Sequence, residues 1–246
     1  MRFLRGCLAV GLSVLAAGCM KFEYGIALED DLSGTATLDM EIDFDRIARA
    51  TAMMQHAMSG AEGPVTDEEV DAARERIVAQ MESDEDLTDE GLSDKVSSDL
   101  PEGVTLVSAS SASDELKHRV HIELAFDHVD RLRDLEMSDG GGPGGGEEEG
   151  EEPFAGLQIT EDGDELVIRN QPMNPVENLE ESPMMRADQL NEILEGFAVT
   201  FRLTTPFDVV ETNATETDGN TLVWRFDLAT LREGEGSTSI YARLKR

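Results

Sequence analysis

The chain has 246 residues, 53 of them acidic and 20 basic, and a formal charge of −33. A charge of that sign repels nucleic acid and anionic lipid head groups, so neither is expected as a direct electrostatic partner. Two cysteines cannot build a disulfide framework, and past the N-terminus no apolar run reaches the roughly 18 residues of a membrane-spanning helix.

Residues 1–18 read MRFLRGCLAVGLSVLAAG. Arg2 and Arg5 give a positive start, Cys7 to Leu15 an apolar middle, and Ala16, Ala17 and Gly18 a run of small side chains before Cys19. This is the three-part pattern of an export signal, too short to remain as a transmembrane helix. The stretch Leu15-Ala16-Ala17-Gly18-Cys19 resembles the lipobox of bacterial lipoproteins. The resemblance implies cleavage before Cys19, with Leu15 to Gly18 recognised by the signal peptidase and the Cys19 thiol acylated. Ala16 stands where the lipobox usually has a larger aliphatic residue. Loss of Cys7 with the signal leaves Cys19 as the sole thiol, and loss of Arg2 and Arg5 takes the formal charge to −35. Each buried methylene contributes about 0.8 kcal/mol, so two or three acyl chains anchor a protein stably. Met20 after the cysteine, rather than Asp, favours the outer membrane in a cell that has one.

The mature chain, 19–246, is expected to form a single domain. Phe22, Tyr24, Ile26 and Leu28 alternate ahead of a turn at EDDLSG. Leu38, Met40, Ile42 and Phe44 then alternate with Asp39, Glu41 and Asp43. Period two marks strands with one buried face, here joined as a hairpin. The strand ends in Phe44-Asp45 and a helical spacing follows: Ile47, Thr51, Met54, Met58. A second helix opens at Thr66, with Glu69 completing a capping box. The polar, acidic stretch at about 82–99 reads as a loosely packed excursion.

Val104 and Leu106 precede a second alternating strand, Val120, Ile122, Leu124 and Phe126, which ends in Phe126-Asp127. The stretch SDGGGPGGGEEEGEEP, 138–153, has no anchoring apolar residue and is expected to be a disordered loop. LQITEDGDELVIRN reads as a hairpin turning at Asp162-Gly163. Ser182 at the cap, Pro183 at the first helical position and Gly196 past the end frame another helix. FAVTFRLT, then Phe207 and Val209, then Leu222, Trp224 and Phe226, and finally STSIYARLK are further strands. The third Phe-Asp corner is Phe226-Asp227. Asp45, Asp127 and Asp227 are each expected to cap a helix, a role that accounts for them ahead of any ring of catalytic aspartates. The fold class is α+β: an antiparallel sheet built from β-hairpins, with helices packed on one face and the other face wet.

The sequence offers little chemistry. His118 and His121 are three apart on a strand and point to opposite faces. His128 has no partner at a zinc spacing, and His56 sits in AMMQHAM, where helical packing explains the methionines better than copper does. There is no P-loop, G-x-S-x-G or H-E-x-x-H, and no cofactor or metal is expected. NAT at 213–215 fits a glycosylation sequon, but Asn is favoured there for the turn itself.

Residues 19–50 and 197–244 resemble the LppM-like lipoprotein domain: a lipobox cysteine running straight into a hairpin, a Phe-Asp corner into a helix, and a closing strand–turn–strand segment, TPFDVVETNATETDGNTLVWRFDL. The resemblance implies an exported, membrane-held α+β domain and supplies no catalytic residues. Some members carry a C-terminal membrane helix; this chain ends in YARLKR, which leaves anchoring to Cys19. The expected function is a non-catalytic binding or scaffolding domain on the cell envelope, facing the periplasm. Its partner is a lipid or glycolipid between helices and sheet, or an envelope protein on the wet face. The alternative is an envelope-bound hydrolase using paired carboxylates.

Overall fold

The computed structural model describes residues 20–61, 63–82, 88–98, 100–114, 116–135, 157–170, 196–227, 230 and 239–246. The expected signal segment with Cys19, the loop 138–153 and the helix over 183–195 with its cap Ser182 lie outside these residues.

The alternating segments form strands. β1 (Met20–Leu28) and β2 (Gly34–Asp43) make an antiparallel hairpin with Tyr24 opposite Leu38. β3 (Val104–Ser113) and β4 (Lys117–Phe126) make a second, and β4 pairs with β2. β7 (Ala198–Thr204) and β10 (Thr221–Asp227) are also antiparallel, with the short β9 (Glu216–Asp218) beyond. The large sheet has the order β3-β4-β2-β1-β7-β10-β9. A smaller one, β5-β6-β11-β8, is built from β5 (Gln158–Asp162), β6 (Glu165–Arg169), β8 (Asp208–Thr212) and β11 (Tyr241–Lys245).

The protein is α+β, with two departures from the sequence expectation. One pair, β1 with β7, is parallel. The hairpin partner β2 takes one edge of β1, and the free edge accepts a strand reached only after a long crossover, the connection that parallel pairing requires. The second departure is the cover on the apolar face. Ile26, Leu124, Leu203 and Trp224 of the large sheet share one core with Ile159, Leu166, Ile168 and Leu244 of the small one. Helices therefore share that face with a second sheet.

α1 (Phe44–Ser59) and α2 (Asp67–Glu82) form a hairpin in which Ala48 and Ala52 meet Val70 and Ala73. Phe44, Ile47, Ile77 and Val78 carry this hairpin onto Phe22, Met40 and Ile42 at one end of the sheet. Within the expected excursion lies a third helix, α3 (Asp89–Ser98), whose Leu92 and Val96 pack on the core. Its Asp89 carboxylate accepts the Ser111 backbone N–H at 2.6 Å, which blunts the outer edge of β3. The two apolar residues are four apart, on one helical face, but stand among polar neighbours that dilute the signal.

The caps differ from expectation at two of the three corners. α1 begins at Phe44, so Asp43 sits at the cap and accepts the Arg46 N–H at 3.1 Å, while Asp45 turns to the Arg74 guanidinium of α2. After Asp127 comes a 3-10 helix, Val129–Asp134, capped by the His128 ring, and Asp127 instead binds Arg131. A strand residue with a carboxylate and the next-turn residue with one are indistinguishable in sequence until the strand end is fixed. Asp227 does accept the N–H and hydroxyl of Thr230, both at 2.9 Å. Thr66 Oγ1 accepts the Glu69 N–H at 3.3 Å, and Glu69 accepts the Thr66 N–H at 2.8 Å. With the Thr66 N–H acting first, then His56 and the Thr66 hydroxyl, the Glu69 carboxyl is drawn down to about 2.

His118 faces the interior, 2% exposed, stacked on Phe44 and held between Ser113 Oγ at 2.7 Å and Ser111 Oγ at 3.4 Å. Burial pushes its pKa below the ordinary 6.5. The unfolded chain therefore binds this proton more readily than the folded one. The contribution of His118 is complete above about pH 6.5 and declines as the pH falls toward its folded pKa. Melting temperature is expected to fall between pH 7.5 and 5.5, and His118→Gln to flatten that fall; thermal unfolding of both proteins across this range checks it.

Candidate functional site: the polar face of the large sheet

The residues that alternate with the core positions line the opposite face. Strand register aligns them in rows. One row runs Ala112, Arg119, Glu41, Lys21 and Ala198 across five strands. The next runs Ser110, His121, Asp39, Glu23 and Thr200. Between the rows lies an open groove of about 450 Å³ lined by these side chains.

Arg119, Glu41 and Lys21 alternate in charge along the first row, whereas in the second two acids, Asp39 and Glu23, stand opposite each other and each takes a cation from another strand. Glu41 is the centre: Lys117 Nζ lies at 2.7 Å, Arg119 Nε at 3.1 Å and Lys21 Nζ at 3.4 Å. The Lys117 hydrogen bond, followed by that of Arg119, holds the Glu41 carboxyl below its ordinary range. Arg119 also reaches Asp114 at 3.2 Å. In the next row His121 Nδ1 meets Asp39 at 2.7 Å, and Arg202 pairs with Glu23. Arg225 on β10 meets Glu216 on β9 at 2.9 Å. His118 and His121, adjacent in the sequence pattern, are thus on opposite sides of the sheet.

A general acid needs a carboxyl raised toward neutrality by burial or a like charge. Glu41 is displaced the other way by its cations. A lattice of fixed, half-exposed charges instead recognises a surface with the complementary pattern.

Two other clusters bring a histidine to carboxylates, and in the second, His56 with Glu69, the His56 Nε2 is buried with no hydrogen-bond partner among the described residues. His128, Asp130 and Glu161 place ligand atoms within 4.8 Å of one another at the surface. His128 Nδ1 accepts the Asp130 N–H, which puts the neutral ring's proton on Nε2, toward Glu161 at 3.8 Å. Glu161 in turn holds Arg246 at 2.6 Å. His56 on α1 meets Glu69 on α2 at 3.0 Å.

Asn213 is the residue that a turn reading undervalues. It stands where the chain passes from β8 in the small sheet to β9 in the large one. Its Oδ1 accepts the Trp224 indole N–H at 2.7 Å and the Tyr241 N–H at 2.8 Å, and its Nδ2 donates to the Ser239 carbonyl at 2.9 Å. One amide ties β8, β10 and β11 together. The groove charges were visible in sequence as the outward half of each alternation, but which cation meets which acid depends on pairings across as many as 179 residues.

No family model matches the chain, and no curated protein matches it. Among solved structures, the NMR structure of the folded domain of LppM from Mycobacterium tuberculosis is similar over 94% of this chain and 91% of that one. The identity is 10% and the TM-score 0.46, so the likeness reaches no further than the fold.

Proposed function

We propose that the protein is a lipid-anchored, non-catalytic scaffolding domain of the cell envelope, and that its partner is an envelope protein docking on the polar face of the large sheet. The observation that carries this reading is the paired charge lattice around Glu41, Asp39 and Glu23. Its groups are held in place by one another, which lowers the ordering cost of association and favours a partner with the reverse pattern. The export signal and Cys19 supply the location. A protein partner is favoured over a lipid between helices and sheet because, among the described residues, large side chains of both sheets occupy the apolar face in one continuous core.

The test is site-specific photocrosslinking in native cells. A crosslinker at Thr200, in the groove, is expected to capture one discrete protein. A crosslinker at Thr160, on the exposed side of β5, is expected to give none. Equal, diffuse labelling at both positions would count against the polar face as an interface.

A further inference from the structure

β1 begins at Met20, the residue directly after Cys19. Acylation at Cys19 therefore joins the bilayer to the middle strand of the seven-stranded sheet with no intervening tether. One peptide unit spans about 3.8 Å, so the Met20 end of the sheet is held at head-group level.

We infer that this end of the large sheet is a membrane-docking surface, set against phospholipid head groups, and that the acidic turns stand away from the bilayer. The inference rests on the lipid anchor proposed above. The register defines which residues share the end: Met20 lies opposite Ile42, Ile42 opposite His118, and His118 opposite Ser113. The β3–β4 turn thus projects beside the anchor, two strand spacings or about 10 Å away. Leu116 at its tip is 54% exposed, an apolar side chain that nothing in the described fold covers and that suits the interfacial zone of a bilayer. Next to it stand Lys117, Lys21 and Arg119, two of the four lysines in the whole chain, outnumbering the Glu41 and Asp114 carboxylates they bind.

The other end carries the acidic β1–β2 turn. Glu29, Asp30 and Asp31 of the β1–β2 turn gather there with Glu102, Asp127 and Asp218. Nine residues of β1 separate the two ends, about 30 Å at 3.3 Å per residue. That is nearly four Debye lengths at physiological salt, about 8 Å each, so the acidic turns are screened from head-group charge only when the Met20 end is the one in contact. The overall charge keeps an unanchored chain off an anionic surface, and once the chain is acylated its orientation is set by the position of the anchor and by Leu116 beside it, with Asp43, Asp45, Asp114 and Asp227 at the same end.

Acylated Cys19 leaves any introduced thiol unique in the mature protein. Full-length lipidated Leu116→Cys and Asp30→Cys proteins are each labelled with an environment-sensitive fluorophore and reconstituted in phosphatidylethanolamine–phosphatidylglycerol vesicles containing a nitroxide-headgroup lipid. The label at position 116 is expected to be blue-shifted and quenched several-fold more strongly than that at position 30. Equal quenching at the two positions, on protein whose N-terminal peptide carries the acyl mass, overturns the docking surface and leaves the anchor intact. An N-terminal peptide without acyl mass overturns both.

Discussion

Replacing Cys19 with serine is expected to move the protein from the membrane fraction to the aqueous one. Serine offers no thiol for acylation, so no acyl chain is added at this position. The size of the effect follows from the chains themselves. At about 0.8 kcal/mol per methylene, one chain holds a protein marginally and two or more hold it stably. No helix among the described residues is long and apolar enough to cross a bilayer. Detergent phase partitioning and incorporation of labelled palmitate, with wild type and Cys19→Ser in parallel, check the outcome. Wild-type protein in the aqueous phase would remove the anchor and with it the setting of the polar face.

Asn213→Ala is expected to cost about 3 kcal/mol. Trp224 is 1% exposed and packs edge-on against Phe201 at 5.7 Å. With Asn213 gone, its buried indole N–H loses its partner, a penalty of about 1–3 kcal/mol, and the Tyr241 N–H and Ser239 carbonyl lose theirs as well. At roughly 2–4 °C per kcal/mol for a domain of this size, the melting temperature falls by about 6–12 °C. Asn213→Asp keeps the two accepted bonds and forfeits the donated ones, so it falls between. Thermal unfolding of the three proteins decides it; a loss in Asn213→Ala no greater than that of an ordinary surface change would show that the two sheets are joined by packing alone.

Much of the fold was legible because the strands are one-sided. Leu38-Met40-Ile42 and Val120-Ile122-Leu124 carry period two without interruption, and each lies in a strand with those residues turned the same way. What stayed hidden depends on distance along the chain. The parallel pairing of Phe22 with Val199 leaves no local trace, and neither does the gathering of Lys117 and Arg119 on Glu41. Local ambiguity accounts for the rest. Asp43 and Asp45 are equally good caps on paper, and the helix at Leu92 and Val96 is masked by Asp and Ser. Val107 follows inward Leu106 and so points outward at 54% exposure, and the bulge between Leu106 and Ser108 then resets the phase so that Ser111 and Ser113 meet His118.

The β1–β7 pairing also bears on how the protein is made. β1 is synthesised before its parallel partner, so one of its two edges stays open until Ala198 to Thr204 arrive. During that interval a central strand offers unpaired N–H and carbonyl groups to any passing chain. Closing so long a loop is slow by its topology. A nascent polypeptide stalled before residue 198 therefore presents a sticky half-sheet, which makes the final fifth of the sequence the lock on solubility for everything synthesised ahead of it.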